Sequence, residues 1–137
     1  MAKTFLLEVV TPERAVFSED VSSIVIPAHE GYLGVLAGHA PMLCTLKPGD
    51  IAVRGEHGEQ HFATSGGFVE ITPKRVIVLS ESAERTTDID IPRAREARQR
   101  AHDRLHAAEK GTDRERAQAA LDRADNRVRL AEKYGKK

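Results

Sequence analysis

The 137-residue sequence predicts an all-β N-terminal sandwich or barrel followed by a C-terminal α-helical hairpin. Three observations carry this. Up to about residue 84, apolar residues recur with a period near two, and turn residues interrupt them every few positions. Beyond about residue 90 they recur every three or four positions, and Gly111 is the one glycine before Gly135. Charge divides at the same place. Residues 1–87 carry 7 Lys/Arg against 11 Asp/Glu, whereas residues 88–137 carry 14 against 10. The zero net charge therefore hides an acidic first part and a basic second part. The expected organisation is an antiparallel β-sandwich over residues 1–84, a hinge over 85–90, and an antiparallel two-helix hairpin over 91–137.

Residues 5–10, Phe-Leu-Leu-Glu-Val-Val, are strand formers, and Thr11-Pro12 ends the run. A second strand is expected at 15–18. A third is expected at 21–27, with Ile24 and Ile26 on one face and Val25 on the other. Residues 29–41 hold Gly31, Gly34, Gly38 and Pro41, so short extended pieces and tight turns are expected there. Residues 42–46 form the next strand, closed by Lys47-Pro48-Gly49-Asp50. Residues 51–54 and 59–64 flank Gly55-Glu56-His57-Gly58 and read as a hairpin. Ser65-Gly66-Gly67 turns into a strand at 68–71, and residues 72–75 turn into another at 76–79. Short strands at near-regular spacing are the mark of a sandwich or barrel.

In the second part, Asp90 is a suitable N-cap for a helix that starts at Ile91, with Pro92 harmless in the first turn. The pattern carries this helix to about Lys110, where Gly111 supplies a stop. Thr112-Asp113-Arg114-Glu115 is a capping box for a second helix that runs to about Tyr134. The turn is short, so the helices fold back on each other. Their apolar seam is mostly alanine: Ala94, Ala97, Ala101, Leu105 and Ala108 on the first, and Ala117, Ala120, Ala124, Val128 and Ala131 on the second. Alanine favours helix but buries little area, so each rod is robust while the docking between them is weak.

Composition narrows the function. Hydrophobic content is 40%, charged content 31%, and Trp is absent, which suits a soluble protein with an aliphatic core. No apolar run reaches the roughly 18 residues of a membrane span. The start, Met1-Ala2-Lys3-Thr4, leads directly into a strand-like run and does not read as a signal or transit peptide. Cys44, the single cysteine, has no partner for an internal disulfide and reads as a buried, inert thiol. There is no P-loop motif. No pair among His29, His39, His57 and His61 has a recognised metal spacing. His102 and His106 stand four apart with Asp103 between them, but no third ligand is apparent, so zinc hydrolysis is not expected. No metal site and no catalytic residue are therefore assigned. The basic face lacks interleaved aromatics, and nucleic-acid binding is not expected either.

Arginine placement is more suggestive. Arg93, Arg100, Arg116, Arg123 and Arg127 each directly precede a seam residue. Folding at Gly111 is expected to bring Arg100 opposite Arg123 and Arg127 near the level of Arg93. Four guanidiniums near the start of the first helix repel one another without an anion and clamp the hairpin when a polyphosphate binds. The second part holds ten arginines, so from spacing alone a solvated basic face is the simpler reading.

The order of these pieces resembles the epsilon-subunit family of the F-type, proton-translocating ATP synthase. The residues that carry the resemblance are Val9-Val10-Thr11-Pro12, Gly31-Tyr32-Leu33-Gly34-Val35-Leu36-Ala37-Gly38-His39-Ala40-Pro41, Ser65-Gly66-Gly67-Phe68-Val69-Glu70 and Ala83-Glu84-Arg85. The resemblance implies a central-stalk subunit without catalysis of its own. It implies partners in the gamma subunit, the c-subunit ring and, in an inhibitory state, the alpha/beta head. It implies a place peripheral to the membrane, at the cytoplasmic face of the bacterial cell membrane, coupling proton flow to ATP synthesis and restraining hydrolysis through mobile C-terminal helices. No cofactor is required. Some bacterial members bind ATP as a regulatory ligand through an (I/L)-D-x-x-R-A motif, which Ile89-Asp90-Ile91-Pro92-Arg93-Ala94 matches. On that resemblance the nucleotide-binding residues are Glu84, Ile89, Asp90, Arg93, Ala94, Arg100, Arg123 and Arg127. Tyr32 stands where some members carry an acidic residue facing the c ring, and Pro92 lies inside the motif. A stand-alone ATP-binding sensor module is the alternative, and a histidine-based metallohydrolase is a third reading.

Overall fold

The structure, a computed structural model, describes residues 3–108 and 112–135. The chain divides into two compact units, Met1–Arg85 and Thr86–Lys137. The fold class is the expected one, a β-sandwich followed by a two-helix region.

Among the described residues the first unit holds nine strands: β1 (Phe5–Val10), β2 (Ala15–Ala28), β3 (Gly31–Leu36), β4 (Met42–Leu46), β5 (Gly49–Gly55), β6 (Gly58–Thr64), β7 (Gly67–Ile71), β8 (Arg75–Ser80) and β9 (Ala83–Arg85). They run in the order β1-β8-β7-β4-β2-β5-β6-β9, with β3 added to β2. The two strands expected at 15–18 and 21–27 are one strand, β2. Its first half pairs with β1 and its second half with β3 and β5, so it serves both layers. A register shift between Val21 and Ser23 makes this possible. Before the shift the buried side chains are Phe17 and Val21; after it they are Ile24 and Ile26. One extra residue flips the inward face, which is what a β-bulge does. Val25 faces out, as the alternation predicts.

Two other features depart from expectation. The pairing of β1 with β8 is parallel, while every other strand pairing among the described residues is antiparallel. Strand β9 lies where hinge grammar was expected to begin, and it pairs antiparallel with β6. A three-residue strand is too short to show a period, so pattern reading misses it.

The core is aliphatic, built on Leu7, Ile24, Ile51, Val69 and Val78, with Phe17 and Phe62 meeting edge to face at 5.4 Å. The expected hairpin is present: β5 and β6 are joined through Glu56 and His57. At the Ser65-Gly66-Gly67 turn, Gly67 has φ 150°, and a Cβ there would run into the Leu79 carbonyl oxygen. Only glycine fits that close approach.

The second unit opens with a short 3-10 helix, Thr86–Asp88, followed by α1 (Ile91–Ala107) and α2 (Thr112–Tyr134). Arg95 pairs with Glu132 at 3.1 Å, so the start of α1 lies beside the end of α2 and the helices are antiparallel. Helix α1 stops three residues earlier than expected, because Ala108 is extended, with φ −72° and ψ 137°. The expected stop at Gly111 and the side-chain part of the Thr112 capping box lie outside the described residues. Of the expected seam, Ala94, Ala101, Val128 and Ala131 are buried. Leu121 and Leu130, which the alanine pattern passed over, are buried as well. They are the two leucines of α2, and that was the signal available.

Candidate functional site

The residues of the (I/L)-D-x-x-R-A motif build the entry to α1. Asp90 is the N-cap: it is extended, with φ −78° and ψ 104°, and its Oδ1 accepts the Arg93 backbone N–H at 3.1 Å. Its carbonyl accepts the Ala94 N–H at 2.9 Å, the first turn of the helix. Pro92 follows in that turn and leaves the helix start intact, since no intrahelical donor is needed there. Upstream, the Ile89 N–H donates to the Thr86 carbonyl at 3.4 Å, closing the 3-10 turn. Ile89 and Ala94 are buried, and they hold the motif down on either side of the exposed Asp90. The Thr86 hydroxyl donates to the Tyr134 carbonyl at 3.3 Å, so the end of α2 is tied to the start of this unit.

The two helices carry the predicted arginines at several levels along their length. Arg93 and Arg100 are exposed on α1, Arg123 is exposed on α2, and Arg127 is half-buried on α2. Each flanks the seam: Arg93 precedes buried Ala94, Arg100 precedes buried Ala101, and Arg127 precedes buried Val128. Antiparallel packing places these arginine-bearing faces on neighbouring helices. Asp90 takes the Arg93 and Ala94 N–H groups and Pro92 has none, so charge on the arginines, not backbone donors, is what these faces offer an anion. Glu84 belongs to the other unit. It lies in β9 opposite Ala63 and is half-buried.

Several titratable side chains of the first unit are engaged locally. His61 on β6 has Nδ1 at 2.9 Å from Asp50 Oδ2 and Nε2 at 3.2 Å from Glu59 Oε2. Arg54 reaches Glu59 from the other side at 3.4 Å. The hydrogen bonds from His61 and then Arg54 hold the Glu59 carboxyl below the usual carboxylate range. His39 donates from Nδ1 to the Ala40 carbonyl at 2.8 Å. Burial pushes the Cys44 thiol up, which disfavours the nucleophilic thiolate and agrees with an inert role; the thiol is half-buried rather than fully enclosed.

A second candidate surface was not legible in the sequence. Leu43 is 73% exposed, Leu36 66%, Tyr32 60%, Phe68 55% and Leu79 53%. Phe68 and Leu79 are cross-strand partners on the outward face of β7 and β8. With Val10 and Pro12 they line an apolar hollow of about 350 Å³. Leu43 is on the outward face of the neighbouring strand, β4. A run of large exposed apolar side chains on a stable sheet makes this a candidate contact surface.

Both parts of the chain have counterparts among known proteins. Residues 4–86 match the family described as "ATP synthase, Delta/Epsilon chain, beta-sandwich domain", and residues 87–132 match "ATP synthase, Delta/Epsilon chain, long alpha-helix domain". The ATP synthase epsilon chain of Desulforamulus reducens is 45% identical over 134 residues, covering 96% of this chain and 100% of the relative. That of Moorella thermoacetica is 45% identical over 126 residues, covering 91% and 94%. Among solved structures, a chain of the Euglena gracilis mitochondrial ATP synthase, in its OSCP/F1/c-ring assembly, superimposes with a TM-score of 0.77 at 25% identity. The match covers 90% of this chain and 78% of that one.

Proposed function

The chain belongs to the ATP synthase delta/epsilon family, and from that membership we propose that it is a non-catalytic rotor subunit of an F-type ATP synthase. In this reading it sits in the central stalk, against the gamma subunit and the c-subunit ring, and couples proton flow to ATP synthesis. The complex holds it at the cytoplasmic face of a bacterial membrane; among the described residues, no helix is long and apolar enough to cross one. The observation that carries the reading is the outward apolar surface of the sandwich, Leu43, Phe68 and Leu79, on a unit whose own core is complete without them. Tyr32, 60% exposed on β3, faces the c ring in this arrangement. Co-purification with the gamma subunit tests it. Phe68→Glu and Leu43→Glu are expected to abolish the association while the variants stay folded, because each places a charge in a desolvated contact. Retained association would sink the docking assignment.

A finer reading concerns regulation. We propose that α1 and α2 leave their folded hairpin to enter the alpha/beta head and inhibit hydrolysis. ATP then favours the folded form by bridging the arginines near the α1 start. Asp90 capping α1, with Arg93 and Arg100 on α1 and Arg123 and Arg127 on α2, supports it within the helical unit, and the motif match extends the set to Glu84, Ile89 and Ala94. Calorimetric titration of the full chain with ATP, beside Arg123→Ala and Arg127→Ala, tests this. Saturable binding weakened by both substitutions is the expected result. No binding at millimolar ATP would remove the gate and leave the rotor assignment in place. A stand-alone ATP sensor would bind ATP yet fail to associate with gamma.

A further inference from the structure

Helix α1 carries a feature that neither rotor docking nor nucleotide binding uses. His102 and His106 are both exposed, four residues apart, with ring centroids 4.5 Å apart and planes inclined at 61°. Side chains at i and i+4 lie one above the other on the same helix face, so both imidazoles address the same volume of solvent. Asp103 between them is engaged by Gln99, whose Nε2 donates to Asp103 Oδ1 at 3.0 Å. Two neutral imidazoles held on successive turns can take up adjacent positions around one ion, with metal–nitrogen bonds of about 2.0–2.1 Å.

We propose that His102 and His106 form an open, two-ligand site for a late first-row divalent metal ion, Zn²⁺ or Ni²⁺, on the solvent face of α1. Imidazole donors select these ions, whereas Mg²⁺ and Ca²⁺ require oxygen ligands. Among the described residues, no group of three or more His, Cys, Asp or Glu side chains is placed to hold a metal. The protein thus supplies two ligands and water fills the rest, a non-catalytic site of moderate affinity. The ligands converge only while the turn between them is helical. Metal binding therefore stabilises the last turns of α1, next to the point where Ala108 leaves the helix. Both ligands belong to one helix, so the site persists whether or not α1 stays packed on α2, and it does not depend on the rotor assignment.

The test is calorimetric titration of the tag-free full chain with ZnCl₂, NiCl₂ and MgCl₂, with helicity followed by circular dichroism. One-to-one saturable binding of Zn²⁺ and Ni²⁺ below millimolar concentration is expected, with a higher melting temperature and no response to Mg²⁺. His102→Ala and His106→Ala should each weaken binding by about tenfold or more, while His57→Ala should not. The double variant His106→Ala/Ala107→His keeps six histidines but turns one imidazole about 100° around the helix, and it should bind as weakly as His106→Ala. Affinity unchanged in either single variant, recovered in the double variant, or absent at millimolar metal overturns the site. Metal-free spectra matching the parent chain exclude misfolding as the cause of any loss.

Discussion

In the sandwich unit the largest fully buried side chains are Phe62, Leu7, Ile24 and Ile26, and they meet across strands far apart in sequence. In the helical unit burial runs through Ala94, Ala101 and Ala131, reinforced by Leu121, Val128 and Leu130. A buried alanine removes little apolar area from water, whereas fully burying a Leu, Ile or Phe side chain is worth roughly 1.5–3 kcal/mol. The helices persist because their backbone bonds are local and their residues favour helix. The sandwich persists because its ladder and core are non-local and mutually dependent. One part of the chain is thus a rigid platform with an apolar outer surface. The other is a pair of helices whose shared seam is thinner and rich in alanine.

Substitutions can break or sharpen that contrast. The largest effect is expected for Phe62→Ala, which empties the centre of the sandwich and removes the edge-to-face contact with Phe17. A loss of about 3–5 kcal/mol in chemical denaturation, read on the β signal, is expected; a loss under one would mean the platform is softer than its packing indicates. Next is Leu121→Ala on α2, expected to cost about 2–3 kcal/mol, with the helical signal at 222 nm lost before the β signal. Coincident loss of both signals would erase the distinction between the units. Asp90→Ala removes the N-cap of α1 and is expected to lower stability by about 1 kcal/mol, while Asp90→Asn, which keeps an acceptor, should nearly restore it.

The smallest effect lies on the platform. The Glu59 carboxyl titrates below its unfolded value, because His61 and then Arg54 favour the charged form. A depressed carboxylate contributes stability that is full above its unfolded pKa and is lost as pH falls through the folded one. Acid titration should therefore weaken the sandwich as Glu59 protonates, and Glu59→Gln should flatten that limb slightly. An unchanged acid limb would show that this exposed cluster carries no net stability.

Much of the fold was legible because local grammar and tertiary demand agree. Alternation at Ile24, Val25 and Ile26, a hairpin turning between Gly55 and Gly58, and the Asp90 cap read from sequence as they stand in the structure, which draws both glycines into the strands. The errors fall where non-local contacts decide. Residues 15–28 carry one strand because β1 and β5 grip its two halves on either side of a bulge, and no window of sequence reports that. Strand β9 exists because β6 offers it a free edge. The buried Leu121 and Leu130 were passed over because alanines dominate the helical period. The outward surface of Phe68, Leu79 and Leu43 was hidden because an apolar residue in a strand reads as core until its register is known.

By itself the sequence determined the class of each half, the cap of α1 and the family, because periodicity, cap chemistry and motif spacing are local properties. The tertiary structure alone decided the parallel β1–β8 pair, the two-layer role of β2 and which apolar side chains remain in solvent. Those depend on strand register and pairing, and a one-residue shift in register exchanges the inside of a sheet for its outside.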